Sequence, residues 1–261
     1  GLCRRLAFRY NAVAIVRDRD VHTRPIPYFG GIAMLCGLAA ALLVAGQLPW
    51  LGRFDLVAHD SRAVFIAGLV ICAVGVLDDM YELNALAKIA GQMLAAGIVV
   101  LNGVKVYWIP LPNTIITLDD AMSILLTMAL IFLCVNSINL IDGLDGLAAG
   151  VVAIGASSFF VYAYWLSYEQ ELVRATTASL ITVVTVGMCL GFLPYNVHPA
   201  RMFMGDSGSM LLGFLMATSM ISLTGQIDPS QVTVQGSGLA VNAYLPLFLP
   251  LAVMALPLGD L

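Results

Sequence analysis

Charge is what this chain has least of. Asp, Glu, Lys and Arg together make up 11% of its 261 residues, where a soluble domain carries about 25%. Too little polar surface remains to clothe a soluble globule of this size, and a 60% hydrophobic content excludes a disordered chain. A basic excess is also missing: the formal charge of −4 provides no electrostatic footprint for nucleic acid. There are only three histidines, and the five cysteines (Cys3, Cys36, Cys72, Cys134 and Cys189) lie scattered, mostly in apolar runs. They read as small core residues, not as a disulfide framework or a zinc site. The strict alternation of a membrane barrel is absent as well.

What the chain does have is apolar runs. Eight stretches, near 29–48, 63–77, 86–101, 121–138, 147–166, 175–193, 209–224 and 239–258, approach the length of about 20 residues that crosses a bilayer as a helix. The fold class expected is therefore all-α: a polytopic transmembrane helix bundle, with residues 1–261 forming one integral membrane domain. Eight spans use about 160 residues, so no connection has room for a soluble domain. Any active site must be built from short loops and helix ends. Arg4, Arg5, Arg9, Arg17, Arg19 and Arg24 precede the first span and place that end in the cytoplasm by the positive-inside rule. Alternation then puts 78–86, 139–146 and 194–208 on the cytoplasmic face. It puts 49–62, 102–120, 167–174 and 225–238 outside, and basic residues divide eight inside to four outside.

The three cytoplasmic connections are rich in carboxylates and carboxamides. The first, GVLDDMYE (75–82), ends an apolar helix with Asp78 and Asp79. Carboxylates inside a span are costly, and negative charge at a helix C-terminus opposes the macrodipole, so the pair asks for a cation. The alternative is that the pair only marks the membrane boundary. Asp119-Asp120 is the control: that pair opens an outer helix after Thr117, where acids suit the dipole and Thr117 can cap, and it needs no function. The second connection, NSINLIDGLDGL (136–147), spaces Asn136, Asn139, Asp142 and Asp145 three residues apart, on one side of a helical turn. It lacks the frame of an EF-hand. The third, PYNVHPARMFMGDSGS (194–209), contains the string Gly205-Asp206-Ser207-Gly208. That string mimics a serine-protease motif but here opens a membrane helix, with Asp206 as its N-cap in the plainest reading. His198 reads as a loop histidine. Lys88 begins the third span, with Gln92 one turn later on the same side; ordinary snorkelling would also account for the lysine. Together, Asp78, Asp79, Asn139, Asp142, Asp145, Asn196 and Asp206 fall on one membrane face, with Lys88 and Arg201 as the nearby cations. Hard oxygen donors without histidine or thiolate suit Mg²⁺ or Mn²⁺. A carboxylate-rich site open to cytosol and lipid suggests phosphoryl transfer between a soluble nucleotide and a lipid acceptor.

Asp78-Asp79, the Lys88/Gln92 helix start, NSINLIDGLDGLAAG (136–150), FLPYNVHPARMFMGDSGS (192–209) and HTRPIPYFGG (22–31) resemble, in order, the motifs of the polyprenyl-phosphate N-acetylhexosamine-1-phosphate transferases, the relatives of MraY and WecA. The stretch 16–31 looks most like WecA of the actinobacterial type. The resemblance implies a multi-pass protein of the bacterial plasma membrane with its site facing the cytoplasm. It implies transfer of GlcNAc-1-phosphate from UDP-GlcNAc to decaprenyl or undecaprenyl phosphate, release of UMP, and initiation of a lipid-linked cell-envelope glycan. Phospho-MurNAc-pentapeptide transfer is the alternative within the family. Asp206, with Asn139, is similar to the metal-binding positions for Mg²⁺, and Lys88 to the basic residue near the pyrophosphate. Asp78 and Asp79 match the catalytic pair, with Asp142 and Asp145 grouped beside them. Leu140, Gly143, Asn196, Phe203, Gly205 and His22 match substrate-binding positions, and Asp142 and Asp145 also fall in the nucleotide pocket. A homodimer is compatible with the family. Three departures accompany the resemblance. Ten or eleven spans are expected of the family, the first being absent here; its His-rich C-terminal loop has no counterpart before Leu261; and Ile141 stands where MraY has threonine. The first two imply a piece of a longer protein. Two other classes compete: an ion-coupled transporter, which would hold its acids near the midplane in repeated halves, and an intramembrane aspartyl protease, which would leave the 136–145 array without a role.

Overall fold

The computed structural model describes residues 26–111, 114–169 and 173–224, together with Arg5, Ala7 and Arg9. Seven α-helices follow one another: α1 (Gly30–Gln47), α2 (Asp55–Tyr81), α3 (Ala85–Leu101), α4 (Asp120–Ile141), α5 (Leu147–Glu169), α6 (Val173–Asn196) and α7 (Gly205–Thr224). Each falls on one of the first seven apolar stretches. Six of them are long and apolar enough to cross a membrane, and the eighth expected stretch, 239–258, lies outside the described residues.

At 17 residues, or about 26 Å, α3 is the shortest, yet topology requires that it cross. The C-terminal ends of α2 and α4 meet at the same carboxylate cluster (below), so α3 must carry the chain from that face to the other before α4 brings it back. The far connection departs from a purely helical expectation. Trp108–Leu111 and Thr114–Thr117 form a two-stranded antiparallel hairpin, β1 and β2, with Trp108 opposite Thr117 and Leu111 opposite Thr114. Thr117 is thus a strand residue and does not cap α4. Asp119 does, accepting from Met122 N at 3.0 Å, while Asp120 takes Lys105 Nζ at 2.8 Å. Both outer aspartates have structural partners, as the helix-opening reading requires.

The bundle is arranged around α7, whose residues from Ser207 to Thr224 are all buried. A helix apolar on every side belongs in the interior, and α1, α2, α4 and α6 enclose this one. Its hydroxyls return to its own carbonyls, as Thr218 does to Phe214 O (2.9 Å) and Ser219 to Leu215 O (2.7 Å). Between helices in lipid, close approach through small residues replaces the hydrophobic effect. A Cβ on Gly75 of α2 would collide with the backbone of Asp206 and Ser207, one on Gly31 of α1 with Ser207 and Gly208, and one on Gly213 of α7 with Cys134 O and Val135 Cα, each at 2.7 Å. Cys72, Cys134 and Cys189 are buried as expected, but Cys36 faces outward. α5 and α6 pack as an antiparallel pair, joined by a hydrogen bond of 2.6 Å between Ser167 and Thr176 hydroxyls.

Glycines at contacts and glycines in open space should behave oppositely. Gly75→Ala should lower the melting temperature of the detergent-solubilised protein markedly. Gly97→Ala on α3, where a Cβ meets nothing, should leave it unchanged or raise it, because alanine is favoured by up to about 1 kcal/mol in a helix. Equal responses at the two positions would refute the central placement of α7.

Candidate active site

The three carboxylate-bearing connections converge. A polar cavity of about 380 Å³ is lined by Asp78, Asp79 and Glu82 from the end of α2, by Asn139, Asp142, Gly143, Leu144 and Asp145 after α4, and by Asn196, Phe203, Gly205 and Asp206 from the α6–α7 connection, with Tyr28 ahead of α1. Six carboxylates face one space.

Lys88 is the cation that adjoins it, bonded to two of its carboxylates. Asn84 caps α3 by accepting from Ala87 N at 2.8 Å, which starts the helix one turn before the lysine. From there Lys88 Nζ donates to Asp78 Oδ2 at 2.9 Å and to Asp206 Oδ2. The Asn139 carboxamide touches the same group. With its nitrogen toward Asp206 Oδ1 (3.1 Å) and Ser209 Oγ (2.9 Å), its oxygen accepts from Lys88 Nζ at 3.2 Å. An ammonium has three donors, and here three oxygens from α2, α4 and α7 receive them. Gln92, one turn along α3, exchanges hydrogen bonds with Asn136 of α4 (2.8 Å from Asn136 Nδ2 to Gln92 Oε1), so both polar residues of α3 point as their spacing suggests.

Asp79 has a different part. Its Oδ1 accepts from Asp206 N (2.8 Å) and its Oδ2 from Ser207 N (3.2 Å). It caps α7 from another helix, satisfying amides that a buried helix start would leave orphaned. Asp206 is therefore not the N-cap that the plainest reading of the sequence suggested. It sits inside the first turn, with its side chain in the cavity. Gly205 adopts φ +70, and a Cβ there would lie 2.5 Å from the Asp79 carboxylate. Only glycine allows both the backbone conformation and the approach.

Asp145 and Asn196 tie loops together. Asp145 Oδ2 accepts from Ala200 N at 3.1 Å and lies 3.0 Å from His198 Nδ1. Buried Asn196 accepts from Gly146 N (3.1 Å) and donates to Met202 O (3.2 Å). The loop from Val197 to Met204 is further pinned to the start of α1, where Gly30 N and Gly31 N donate to Phe203 O and Met204 O at 3.2 and 3.1 Å. Asp142, at the C-terminal end of α4, has no such amide partner among the described residues. Burial pushes its carboxyl up to about 8, and the charges of Asp206, Asp79 and Asp145 act in the same direction.

Most residues singled out from the sequence thus meet at this cavity, but Leu140 does not line it: its side chain is 55% exposed. His22 lies outside the described residues. Tyr28, Glu82, Leu144 and Ser209 escaped the sequence reading as site residues. The signal for Tyr28 was its place next to Gly30-Gly31, and for Ser209 its position one turn beyond Gly205.

The donor set is consistent with a hard divalent cation. Among the described residues no three His, Cys, Asp or Glu side chains form a metal cage by themselves. However, Asp206 and Asn139 place adjacent oxygens on an open polar cavity, and Mg²⁺ characteristically takes one or two carboxylates and completes its shell with phosphate and water.

A polytopic helical bundle with one carboxylate-lined, cation-adjoined pocket at the ends of its helices is the class that fold and site define. Comparison with known proteins makes it specific. Residues 61–224 match the model of Glycosyl transferase family 4, and the chain belongs to that family. Over its whole length it is 43% identical to the decaprenyl-phosphate N-acetylglucosaminephosphotransferase of Mycobacterium leprae, covering 66% of that protein, and 42% identical to the protein of the same name in Mycolicibacterium smegmatis, covering 64%. It is 33% identical over 229 residues to the phospho-N-acetylmuramoyl-pentapeptide-transferase of Mycobacterium leprae, with 74% of this chain and 62% of that protein aligned. The chain spans a little under two thirds of the length of these relatives.

A carboxyl pushed up by burial destabilises the fold once ionised. Its cost is small near the ordinary carboxylate range and grows as pH rises toward about 8. Asp142→Asn should therefore raise the melting temperature of the metal-free protein, more at pH 8 than at pH 5. A gain independent of pH would mean that Asp142 is not held in this environment.

Proposed function

We propose that this protein transfers GlcNAc-1-phosphate from UDP-GlcNAc to a polyprenyl phosphate of decaprenyl or undecaprenyl type, releasing UMP at the cytoplasmic face of a bacterial plasma membrane. The observation that carries the reading is the Lys88 ammonium held among Asp78, Asp206 and Asn139, in a polar cavity at one end of a membrane bundle. The greater identity to proteins named for GlcNAc-phosphate transfer than to the muramoyl-pentapeptide relative favours the sugar. Six arginines ahead of α1 favour the cytoplasmic orientation.

In this reading Asp206 and Asn139 hold Mg²⁺, which when bound neutralises charge on the nucleotide phosphates and the departing UMP. Their oxygens are those that Lys88 bridges, and with a cation held there the Lys88 ammonium would serve the pyrophosphate instead. Asp78, whose Oδ1 accepts from Leu83 N at 2.9 Å, lies beside that lysine and positions the lipid phosphate. An oxygen of the lipid phosphate forms the new bond to the β-phosphorus. The bond from that phosphorus to the bridging oxygen breaks, and its electron pair leaves with UMP. Asp79, with both oxygens committed to α7, aligns Asp206 and serves the chemistry through it. Tyr28 and Phe203, whose rings lie 6.1 Å apart at the cavity wall, offer an aromatic surface for the base or sugar. A transporter or aspartyl protease fits less well: the acids sit at helix ends, and the Lys88 ammonium bridges Asp78 and Asp206.

Membranes containing the protein should release UMP only with UDP-GlcNAc, polyprenyl phosphate and Mg²⁺ together. Asp206→Asn should cut this release at least about a hundredfold, since a metal carboxylate serves several kcal/mol of charge neutralisation, while leaving expression and melting temperature nearly unchanged. Full turnover of that variant would discard the metal assignment. β-Phosphorus-labelled UDP-GlcNAc without acceptor should leave the protein unlabelled; a labelled adduct would replace direct displacement with a two-step route.

A further inference from the structure

A second cavity, of about 510 Å³, lies at the opposite end of the bundle from the carboxylates. Its walls are apolar: Ala39, Leu42 and Leu43 of α1, Val57 and Phe65 of α2, and Leu180 of α6. Two polar residues interrupt them, Ser61 and Arg62. Ser61 Oγ is buried and has no hydrogen-bond partner. Arg62 is exposed; its one hydrogen bond among the described residues runs from Nε to Ala58 O at 3.1 Å, within its own helix. The neighbouring Asp60 is fully buried in the bundle, with His59 Nδ1 3.5 Å from its Oδ1. No ion pair between Arg62 and a carboxylate forms among the described residues.

The depth of these groups identifies their surroundings. α2 has 27 residues, about 40 Å at 1.5 Å per residue, against a hydrocarbon core of about 30 Å. Counting about 20 residues back from its carboxylate end at Asp79 reaches the neighbourhood of Ser61 and Arg62. They stand where acyl chains give way to headgroups in the leaflet opposite the active site. Trp50, 52% exposed and edge-on to Phe54 at 5.9 Å, lies in the connection just ahead of α2 at the same end of the bundle, and aromatic residues are enriched at bilayer interfaces.

We propose that this groove is a binding site for one anionic glycerophospholipid, with an acyl chain along α1 and α2, the phosphate on the Arg62 guanidinium, and a headgroup or ester oxygen accepting from Ser61. Charge complementarity selects this occupant. An unpaired arginine at headgroup level favours a phosphate, and the apolar trough beneath it takes the chain. The ligand differs from the substrates of the carboxylate site in place and role, and the inference stands whether or not the transfer reaction is as proposed.

Native mass spectrometry of the purified protein, delipidated and then titrated with phosphatidylglycerol or phosphatidylcholine, tests it. One phosphatidylglycerol should bind in preference to phosphatidylcholine. Arg62→Gln should remove about fivefold of that preference, the worth of one basic residue at a membrane surface, and Ala39→Phe, which fills the trough, should reduce retention of both lipids. Because either variant could disturb folding, the melting temperature without lipid is measured in parallel and should stay close to that of the unchanged protein. Equal binding of the two lipids, or an Arg62→Gln variant with undiminished preference, would overturn the proposal. So would an Ala39→Phe variant that melts much lower without lipid while lipid retention is unchanged, because the groove would then be filled by the chain's own segment, the apolar stretch 239–258 being the candidate.

Discussion

A helix that starts inside a membrane protein has amides with nowhere to go. Ser207 and Gly208 in the first turn of α7 are buried against α1 and α2, so lipid cannot serve the amides there and the protein must supply acceptors. Asp79 supplies the acceptors from α2, and most of the site's architecture follows. For the carboxylate to reach two consecutive amides, Gly205 must lack a side chain and take a positive φ. For α2 to come that close, Gly75 must lie against the backbone of Asp206 and Ser207, with Gly31 of α1 completing the enclosure. Negative charge is favourable at a helix N-terminus, which offsets the expense of placing Asp79 at the end of an apolar span. One consequence is functional. Once the first turn of α7 is clamped, Asp206 has little choice but to present its carboxylate to the cavity, beside Lys88.

This division of labour explains why two adjacent aspartates are needed at 78 and 79. Successive residues on a helix point about 100° apart, so a single helix end can serve two clients. Asp79 turns to the α7 backbone and Asp78 to the Lys88 ammonium. The same economy recurs after α4, where Asn139 faces the cation and Asp145, beyond the helix end, fastens the loop that carries His198 and Ala200. Residues that look alike in the sequence do different physical work because their distances from the helix end differ by a few positions.

The first seven helices and the meeting of three connections at one end of the bundle were legible in advance. Apolar runs and alternation require it: if every run crosses, the ends of α2 and α4 and the start of α7 share a face. The individual roles were not legible. Gly-Asp-Ser-Gly at a helix start offers Asp206 as a cap in the plainest local reading, but the acceptor that caps α7 comes from a residue 127 positions earlier, which no local pattern encodes. Leu140 shows the same limit in reverse. It stands between two residues of helical spacing yet turns outward, because Asn139 and Asp142 occupy the inward side of that turn. The hairpin at Trp108–Thr117 was missed because four-residue strands carry almost no periodic signal inside a chain read for helices.

The electrostatics of the cavity bear on why such a site stays open. Six carboxylates and one lysine line or adjoin a space of about 380 Å³. Complete ionisation there would be severe, since like charges in a partly dry site are weakly screened. Three devices hold the arrangement together without ligand. Two backbone amides take Asp79, one ammonium takes Asp78 and Asp206 together, and Asp142 retains its proton well above the usual carboxylate range. None of these removes the excess of acceptors; each only spreads it. In the proposed reaction a hard cation arriving with phosphate oxygens would bring the missing charge and be neutralised by them, so metal and nucleotide would bind better together than either alone. On the same proposal the carboxylates would be the source of selectivity: they would repel a phosphate without a cation, while a cation without phosphate would compete with Lys88 for the same oxygens.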